Sequence, residues 1–194
     1  MEIIYTIAVG VIAYLIGSIN SSILISRAVM GKDIRTSGSG NAGATNMLRT
    51  MGKKYAIITL VIDILKGVVA LLLARLAINL GAGDVAMYVS GVAVVVGHNF
   101  PVFFGFKGGK GVATSLGVVL LLDWKIGLIT LLIAIAIMAL TRYVSLGSIV
   151  AAVVFMILQI ITIAVNGEFD ITRLICVIIL GGLLIVRHRA NIVR

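Results

Sequence analysis

Seven apolar runs separated by short polar clusters fill almost the whole chain, at residues 3–29, 55–78, 85–104, 112–122, 126–141, 143–165 and 171–186. Most of them approach the roughly 20 residues that a helix needs to cross a bilayer's hydrocarbon core. Within lipid a segment must satisfy its own backbone N–H and C=O groups, so runs of this length predict helices. The fourth and fifth runs are shorter, roughly 11 and 16 residues against the spanning length. Between them Asp123-Trp124-Lys125 reads either as an external turn or as the tip of a re-entrant pair, which would lower the count to five or six. The pattern therefore predicts an all-α integral membrane protein, a polytopic bundle of about seven transmembrane helices, with residues 1–194 forming a single membrane-embedded domain.

The basic residues predict an orientation, because Lys and Arg accumulate in short cytoplasmic loops while acidic residues have little effect. With seven spans, one side receives Arg27, Lys32, Arg35, Arg49, Lys53, Lys54, Lys107, Lys110, Arg142, Arg187, Arg189 and Arg194, which is 12 of the 16 basic residues. Only Lys125 and Arg173 fall on the other side, with Glu2, Asp84, Asp123, Glu168 and Asp170. The N-terminus is accordingly expected outside and the C-terminus in the cytoplasm. A re-entrant fourth and fifth pair would leave this orientation unchanged.

Composition agrees with the pattern: 61% of residues are hydrophobic and 12% charged, and mean hydropathy is +1.22. A soluble domain carries about twice that charged share. The net charge of +9 lies in loops rather than in a basic arm or an aromatic-interleaved basic helix, so nucleic acid is not an expected partner. Cys176 is the single cysteine and has no internal partner for a disulfide. The Met-Glu-Ile-Ile start lacks the basic region of a signal peptide, so the first run is expected to be retained. Inside the second run, Asp63 and Lys66 stand at i and i+3 on one helix face. Ionised groups at bilayer depth need partners, so these two predict an intrahelical pair turned into the bundle, either purely structural or supporting a site.

Three segments carry candidate chemistry. From Ser37 to Asn46 the first internal loop is built of small residues, many bearing hydroxyl or amide groups, flanked by Arg35 and Arg49. Glycine permits dihedrals that turn successive N–H groups toward one point, a concavity suited to phosphate oxygens, and an arginine adds a planar fork of donors. The second segment, 97–114, contains His98, the chain's single proline and Lys107-Gly108-Gly109-Lys110, followed by a helix start expected at Val112. It is not a nucleotide P-loop: Phe104 stands where the first glycine belongs, and Gly111 where Ser or Thr belongs. A glycine turn opening a helix still favours an anion, with Lys107 and Lys110 to neutralise it. The third segment, Arg187-His188-Arg189-Ala190-Asn191-Ile192, places His188 and Asn191 three apart, on one face if the helix continues. Arg142 and Ser145 add a cluster at the start of the sixth run on the same side. With two histidines and no carboxylate cluster in these segments, no metal site is expected.

Gly38 to Asn46, Gly97 to Thr114 and Arg187-His-x-x-Asn-Ile192 resemble the three signature motifs of the bacterial acyl-phosphate:glycerol-3-phosphate acyltransferases of the PlsY type, in order and spacing along the whole chain. The resemblance implies a multi-pass enzyme of the bacterial cytoplasmic membrane, active on the cytoplasmic side. It would transfer a fatty acyl group from acyl phosphate to the 1-hydroxyl of glycerol 3-phosphate, giving lysophosphatidic acid and phosphate. It implies no cofactor and no obligate protein partner. Neither histidine begins the His-x4-Asp motif of other acyltransferases, since Phe103 and Val193 occupy the fifth positions. Resemblance and residue chemistry together assign catalysis to Ser39, His188 and Asn191, and substrate binding to Gly40, Asn41, Gly43, Thr45, Asn46, Arg49, His98, Lys107, Gly108, Gly109, Lys110, Arg142 and Ser145. The competing reading is a small anion or organophosphate transporter. It is disfavoured because the motifs gather on one side and no inverted repeat is evident. A non-catalytic membrane subunit would leave the loop glycines and lysines unexplained.

The basic asymmetry predicts the accessibility of all three motifs. In a Cys176→Ser background, single cysteines at Ala42, Gly105 or Ala190 should be blocked only by thiol reagents that cross the membrane. Labelling of any of them by an impermeant reagent in intact cells would reverse the orientation.

Overall fold

A computed structural model describes residues 1–165 and 170–192; Glu168 and Arg194, assigned to opposite sides above, lie outside the described residues. Every apolar run is helical, and no strand occurs among the described residues. The helices are α1 (Glu2–Ser18), α2 (Ser21–Met30), α3 (Ala44–Met51), α4 (Lys53–Asn79), α5 (Val85–Asn99), α6 (Val112–Leu122), α7 (Trp124–Thr141), α8 (Val144–Val165), α9 (Ile171–Arg187) and α10 (Arg189–Ile192). Single 3-10 turns lie at Ile34–Thr36 and Val102–Phe104. Five segments are long and apolar enough to cross a membrane: Glu2–Met30, Lys53–Asn79, Val85–Phe104, Trp124–Thr141 and Val144–Val165. α6 and α9 are shorter, at 11 and 17 residues.

Two features depart from the reading by runs. The first run is broken at Ile19, whose backbone is extended, and Asn20 then caps α2 by accepting the Ile23 N–H at 3.2 Å. A side-chain oxygen placed ahead of a helix satisfies one of its unpaired donors, so the Asn-Ser-Ser sequence restarts the helix. The end of the first loop and the residues after it, from Ala44, form α3, which ends at Gly52 with φ +84°, a dihedral that favours glycine, before α4 begins at Lys53.

The contacts form two compact units, Met1–Val118 and Val119–Arg194. In the first, α1 packs mainly against α5, and α4 packs against both. Small residues set the approach: a Cβ on Gly17 would overlap the Val94 carbonyl oxygen, and one on Gly97 would overlap that of Tyr14. Lipid is as apolar as leucine, so close backbone packing and interhelical polar contacts must supply much of the cohesion. The interior accordingly contains Asp63, Lys66 and His98 in mutual contact, while Ile57, Leu65 and Leu72 are among the apolar side chains facing outward. At one end Val9, Ala74, Ala82 and Ala86 cluster where α1 begins, α4 ends and α5 begins. The polar loops occupy the other end.

In the second unit α7 packs on α8 and α8 on α9. Arg173 donates to Gln159 Oε1 from Nε at 2.8 Å and lies 3.4 Å from Asp123 Oδ2, while Asp170 caps α9 and Asp123 caps α7. That polar latch holds one end of the three helices. Arg142, Ser145 and His188 lie at the opposite ends of the same helices, so within this unit the sparse and rich basic ends separate as expected.

Gly17→Val should force α1 from α5 and cost about 1–3 kcal/mol. A clear fall in the thermal midpoint in detergent is expected. Gly182→Ala, whose added methyl would meet nothing within 4 Å, should leave that midpoint unchanged or slightly raised.

Candidate active site

The first loop is anchored, although its composition alone would suit a flexible linker. Ile34, Ala42 and Met47 are fully buried with Ile23 and Ala56, so the loop is fastened at three points over the ends of α2 and α4. Between the anchors, Asn46 acts as a staple. Its Nδ2 donates to the carbonyl oxygens of Ile34 (3.2 Å) and Ser37 (3.0 Å), and its Oδ1 accepts the Ser39 N–H at 2.8 Å. Gly38 has φ +60°, and a Cβ there would overlap Asn46 Oδ1. A side chain at 38 would break the staple as well as strain the backbone. Ser39, Gly40 and Thr45 are exposed, Asn41 and Gly43 half-buried, and Arg49 projects from the last turn of α3.

The second segment folds back on the end of α5. Gly108 and Gly109 donate their N–H groups to the carbonyl oxygens of Asn99 (3.2 Å) and His98 (3.1 Å). Those two amides therefore close the turn. A Cβ on Gly108 would overlap the His98 carbonyl oxygen, and one on Gly109 would overlap His98 Nε2 and lie 2.6 Å from the Ala42 carbonyl oxygen. The double glycine is thus required by close approach, with the His98 ring edge and the first loop both against it. Lys107 is exposed and Lys110 half-buried beside it, and α6 begins at Val112 as the glycine turn predicted.

One arginine ties the loops together. Arg35 Nη1 donates to the carbonyl oxygens of Phe104 (2.7 Å) and Lys107 (2.8 Å), while its Nε and Nη2 donate to Asp33 at 2.9 Å each. Asp33 also caps the 3-10 turn and pairs with Arg27 at 2.7 Å. Hydrogen bonding from Arg35, with help from Arg27, holds the Asp33 carboxyl well below its ordinary range against the upward push of desolvation. Asp33 in turn raises the Arg35 guanidinium further. From the sequence Arg35 reads only as a cation flanking a phosphate loop. The available signal was Asp33, the single carboxylate of that stretch, placed between two arginines.

Beneath the loops the expected Asp63–Lys66 pair is present at 3.0 Å, with both residues buried. Its further contact was not legible: Lys66 Nζ lies 2.7 Å from His98 Nδ1. In the second unit Arg142 ends α7 with φ +62° and is exposed, and Ser145 is half-buried in the first turn of α8. His188 is buried in the turn after α9, and Asn191 is exposed in α10. The helix is interrupted at His188, but the Asn191 N–H still donates to the His188 carbonyl oxygen at 2.7 Å, which keeps the three-residue relation. His188 Nδ1 lies 2.8 Å from the Leu184 carbonyl oxygen. A carbonyl can only accept, so Nδ1 carries the proton.

An all-helical chain with long apolar helices, whose first unit gathers two glycine-rich, cation-bearing loops at one end of its helices, has the features of an integral membrane protein. Residues 7–194 match the profile of the glycerol-3-phosphate acyltransferases, and the chain belongs to that family. It is 44% identical to the glycerol-3-phosphate acyltransferase of Thermoanaerobacter sp. (strain X514), over 98% of this chain and 91% of the relative. It is 48% identical to glycerol-3-phosphate acyltransferase 1 of Deinococcus radiodurans, over 93% and 87%. Its fold is similar to the crystal structure of PlsY (YgiH), an integral membrane glycerol 3-phosphate acyltransferase, in the glycerol 3-phosphate form. The TM-score is 0.86 at 39% identity, covering 97% of this chain and 90% of that one. The lysophosphatidic acid form gives 0.82 at 37% identity.

The Arg35 clamp makes a prediction with a defined sign. Because the Asp33 pKa is lowered on folding, its stabilisation is complete above the ordinary value of 3.8 and is lost only as pH falls through the lower folded value. Docking of the two loops should therefore be insensitive to pH between about 5 and 8. Arg35→Gln should speed amide exchange at Phe104–Gly109 by about 10-fold or more, as expected for losing charge-assisted bonds, without affecting α7–α9. Hydrogen–deuterium exchange read by mass spectrometry would measure both.

Proposed function

We propose that this protein transfers a fatty acyl group from acyl phosphate to the 1-hydroxyl of glycerol 3-phosphate, giving lysophosphatidic acid and inorganic phosphate, at the cytoplasmic face of a bacterial cytoplasmic membrane. Seven spans, with the N-terminus outside and the C-terminus inside, complete this reading. The observation that carries it is the pair of cationic glycine-rich loops joined through Arg35, in a chain of this family. Two phosphate-bearing substrates, one soluble and one carrying an alkyl chain, call for anion sites at the membrane surface. Lys107, Lys110 and Arg49 supply charge, and Gly40, Asn41, Gly43, Thr45, Asn46, Gly108 and Gly109 supply polar groups and shape. His98, Arg142 and Ser145 complete the binding set. Asn46 acts through its hold on Ser39.

Ser39, His188 and Asn191 are assigned to the reaction chemistry. The hydroxyl oxygen attacks the acyl carbon, the carbon–oxygen bond to phosphate breaks, and phosphate leaves with the electron pair. An acyl phosphate is already activated, so positioning and charge stabilisation are the main demands on the protein and no acyl-enzyme is needed. The hydroxyl proton passes to His188 or to a substrate phosphate oxygen. The Leu184 carbonyl, which can only accept, fixes the His188 ring through Nδ1. No cofactor or protein partner takes part.

The test is purified protein in detergent with radiolabelled glycerol 3-phosphate. Palmitoyl phosphate should yield lysophosphatidate, and palmitoyl-coenzyme A should not; product from the thioester alone would overturn the donor assignment. Lys107→Ala and Lys110→Ala should each lower kcat/KM about 10- to 100-fold. Arg49→Lys should rescue poorly, because an ammonium lacks the guanidinium fork. Labelled acyl phosphate alone should leave no adduct on the intact protein by mass spectrometry.

A further inference from the structure

Phe106 adopts a left-handed backbone, φ +58°, which is disfavoured for a bulky side chain. Such a conformation persists only where the surrounding structure fixes it. Here Phe104 and Phe106 both donate their N–H groups to the Pro101 carbonyl oxygen, at 3.1 and 2.9 Å, and Arg35 holds the carbonyls of Phe104 and Lys107 on either side. What this fixed loop displays is apolar. Phe103 is 58% exposed, Phe106 57% and Val102 40%, whereas Phe104 packs against the buried cluster of Ile23 and Ile34 and carries the Arg27 guanidinium over its ring at 5.5 Å. The Lys107 side chain, immediately after Phe106, is exposed as well. Phe103 and Phe106 have no part in the reaction scheme.

The loop's position indicates the medium it faces. Val85–Phe104 is long and apolar enough to cross a membrane, so Phe103 stands at the end of a spanning segment and Phe106 just beyond it. Water would satisfy the polar backbone of an irregular loop, but lipid cannot. Non-helical backbone meets lipid only if its polar groups are satisfied within the protein. In this loop they turn inward, onto Pro101 and Arg35 as described, and the Val102 N–H lies 3.4 Å from Ser18 Oγ on α1. Rings outward and backbone groups inward is the arrangement lipid demands. We infer that residues 102–106 form a rigid aromatic prong seated in the lipid leaflet at that end of the first unit. The Phe103 and Phe106 rings lie at the boundary between headgroups and acyl chains, with Lys107 at the level of the lipid phosphates. Apolar side chains, phenylalanine among them, seat interfacial segments at that boundary, and neighbouring cations favour anionic headgroups.

The insertion does not depend on the acyl-transfer reading. Its consequence does: a loop seated at this height would meet the phosphate of a donor whose alkyl chain stays in the leaflet. To measure depth, Trp124, the chain's single tryptophan, is replaced by Phe. Phe103→Trp and Phe106→Trp are then made one at a time, with the full chain in nanodiscs containing phosphatidylglycerol. Both indoles should be quenched by lipids brominated near the top of the acyl chain, more strongly than by lipids brominated near its end, and should be shielded from aqueous iodide. Quenching by iodide without quenching by brominated lipid would place the loop in water and overturn the inference. Phe106→Gly relieves the backbone and removes the ring, so the thermal midpoint in detergent should be unchanged or raised. A clear fall would mean that the ring packs within the protein, which is incompatible with a prong. Phe106→Asn, which tolerates the left-handed backbone, should raise the KM for palmitoyl phosphate about 10-fold and leave that for glycerol 3-phosphate unchanged. Equal rises in the two KM values would defeat the height-setting role. Lipid-quenched indoles in a protein unable to use acyl phosphate would overturn the acyl-transfer reading and leave the prong supported.

Discussion

A buried lysine surrounded by polar groups organises the first half of this protein. Lys66 sits within an apolar helix, where an isolated charge is costly, and its Nζ lies against Asp63 on its own helix, two carbonyls at the α1–α2 break and His98 on α5. Two of those acceptors are carbonyls freed where the first apolar run breaks, groups that lipid could not satisfy. The break, the buried carboxylate and the histidine are therefore mutually dependent. Removing Lys66 would take a shared donor from the carboxylate and both carbonyls in an apolar medium, where polar groups without partners are costly.

That arrangement carries outward to the surface. His98 is held from below by Lys66 and bounded from above by Gly109, so the second loop takes its position from the membrane interior. The first loop is held by a different means, three buried apolar anchors and the Asn46 staple. Arg35 then joins one to the other through two backbone carbonyls. Ordering a glycine-rich loop at the moment of binding would subtract from affinity. Here both loops are ordered in advance by Asn46, Arg35 and the buried apolar anchors.

The second unit follows the same logic with fewer parts. Its polar latch of Asp123, Gln159 and Arg173 lies at the sparsely basic end of its helices. The opposite end holds Arg142 and His188, and the His188 ring lies against the Leu184 carbonyl of its own helix.

Much of this was legible in the sequence. The apolar runs coincide with helices because hydropathy and length are local properties and lipid leaves the backbone no alternative. The intrahelical Asp63–Lys66 pair follows from spacing alone, and the glycine turn announces the start of α6. The motifs identify the family because they keep their order and spacing from end to end. What the sequence could not assign was the division of labour among its polar residues. Arg35 and Arg49 flank the same loop, yet Arg35 is committed to Asp33 and to carbonyls 69 and 72 residues away, whereas Arg49 projects from α3 as an exposed side chain. Lys66 and His98 are 32 residues apart. A hydrogen-bond partner at such a distance leaves no periodicity behind it, so only the packed chain decides which donors hold the structure, which face outward, and which nitrogen of a histidine carries the proton.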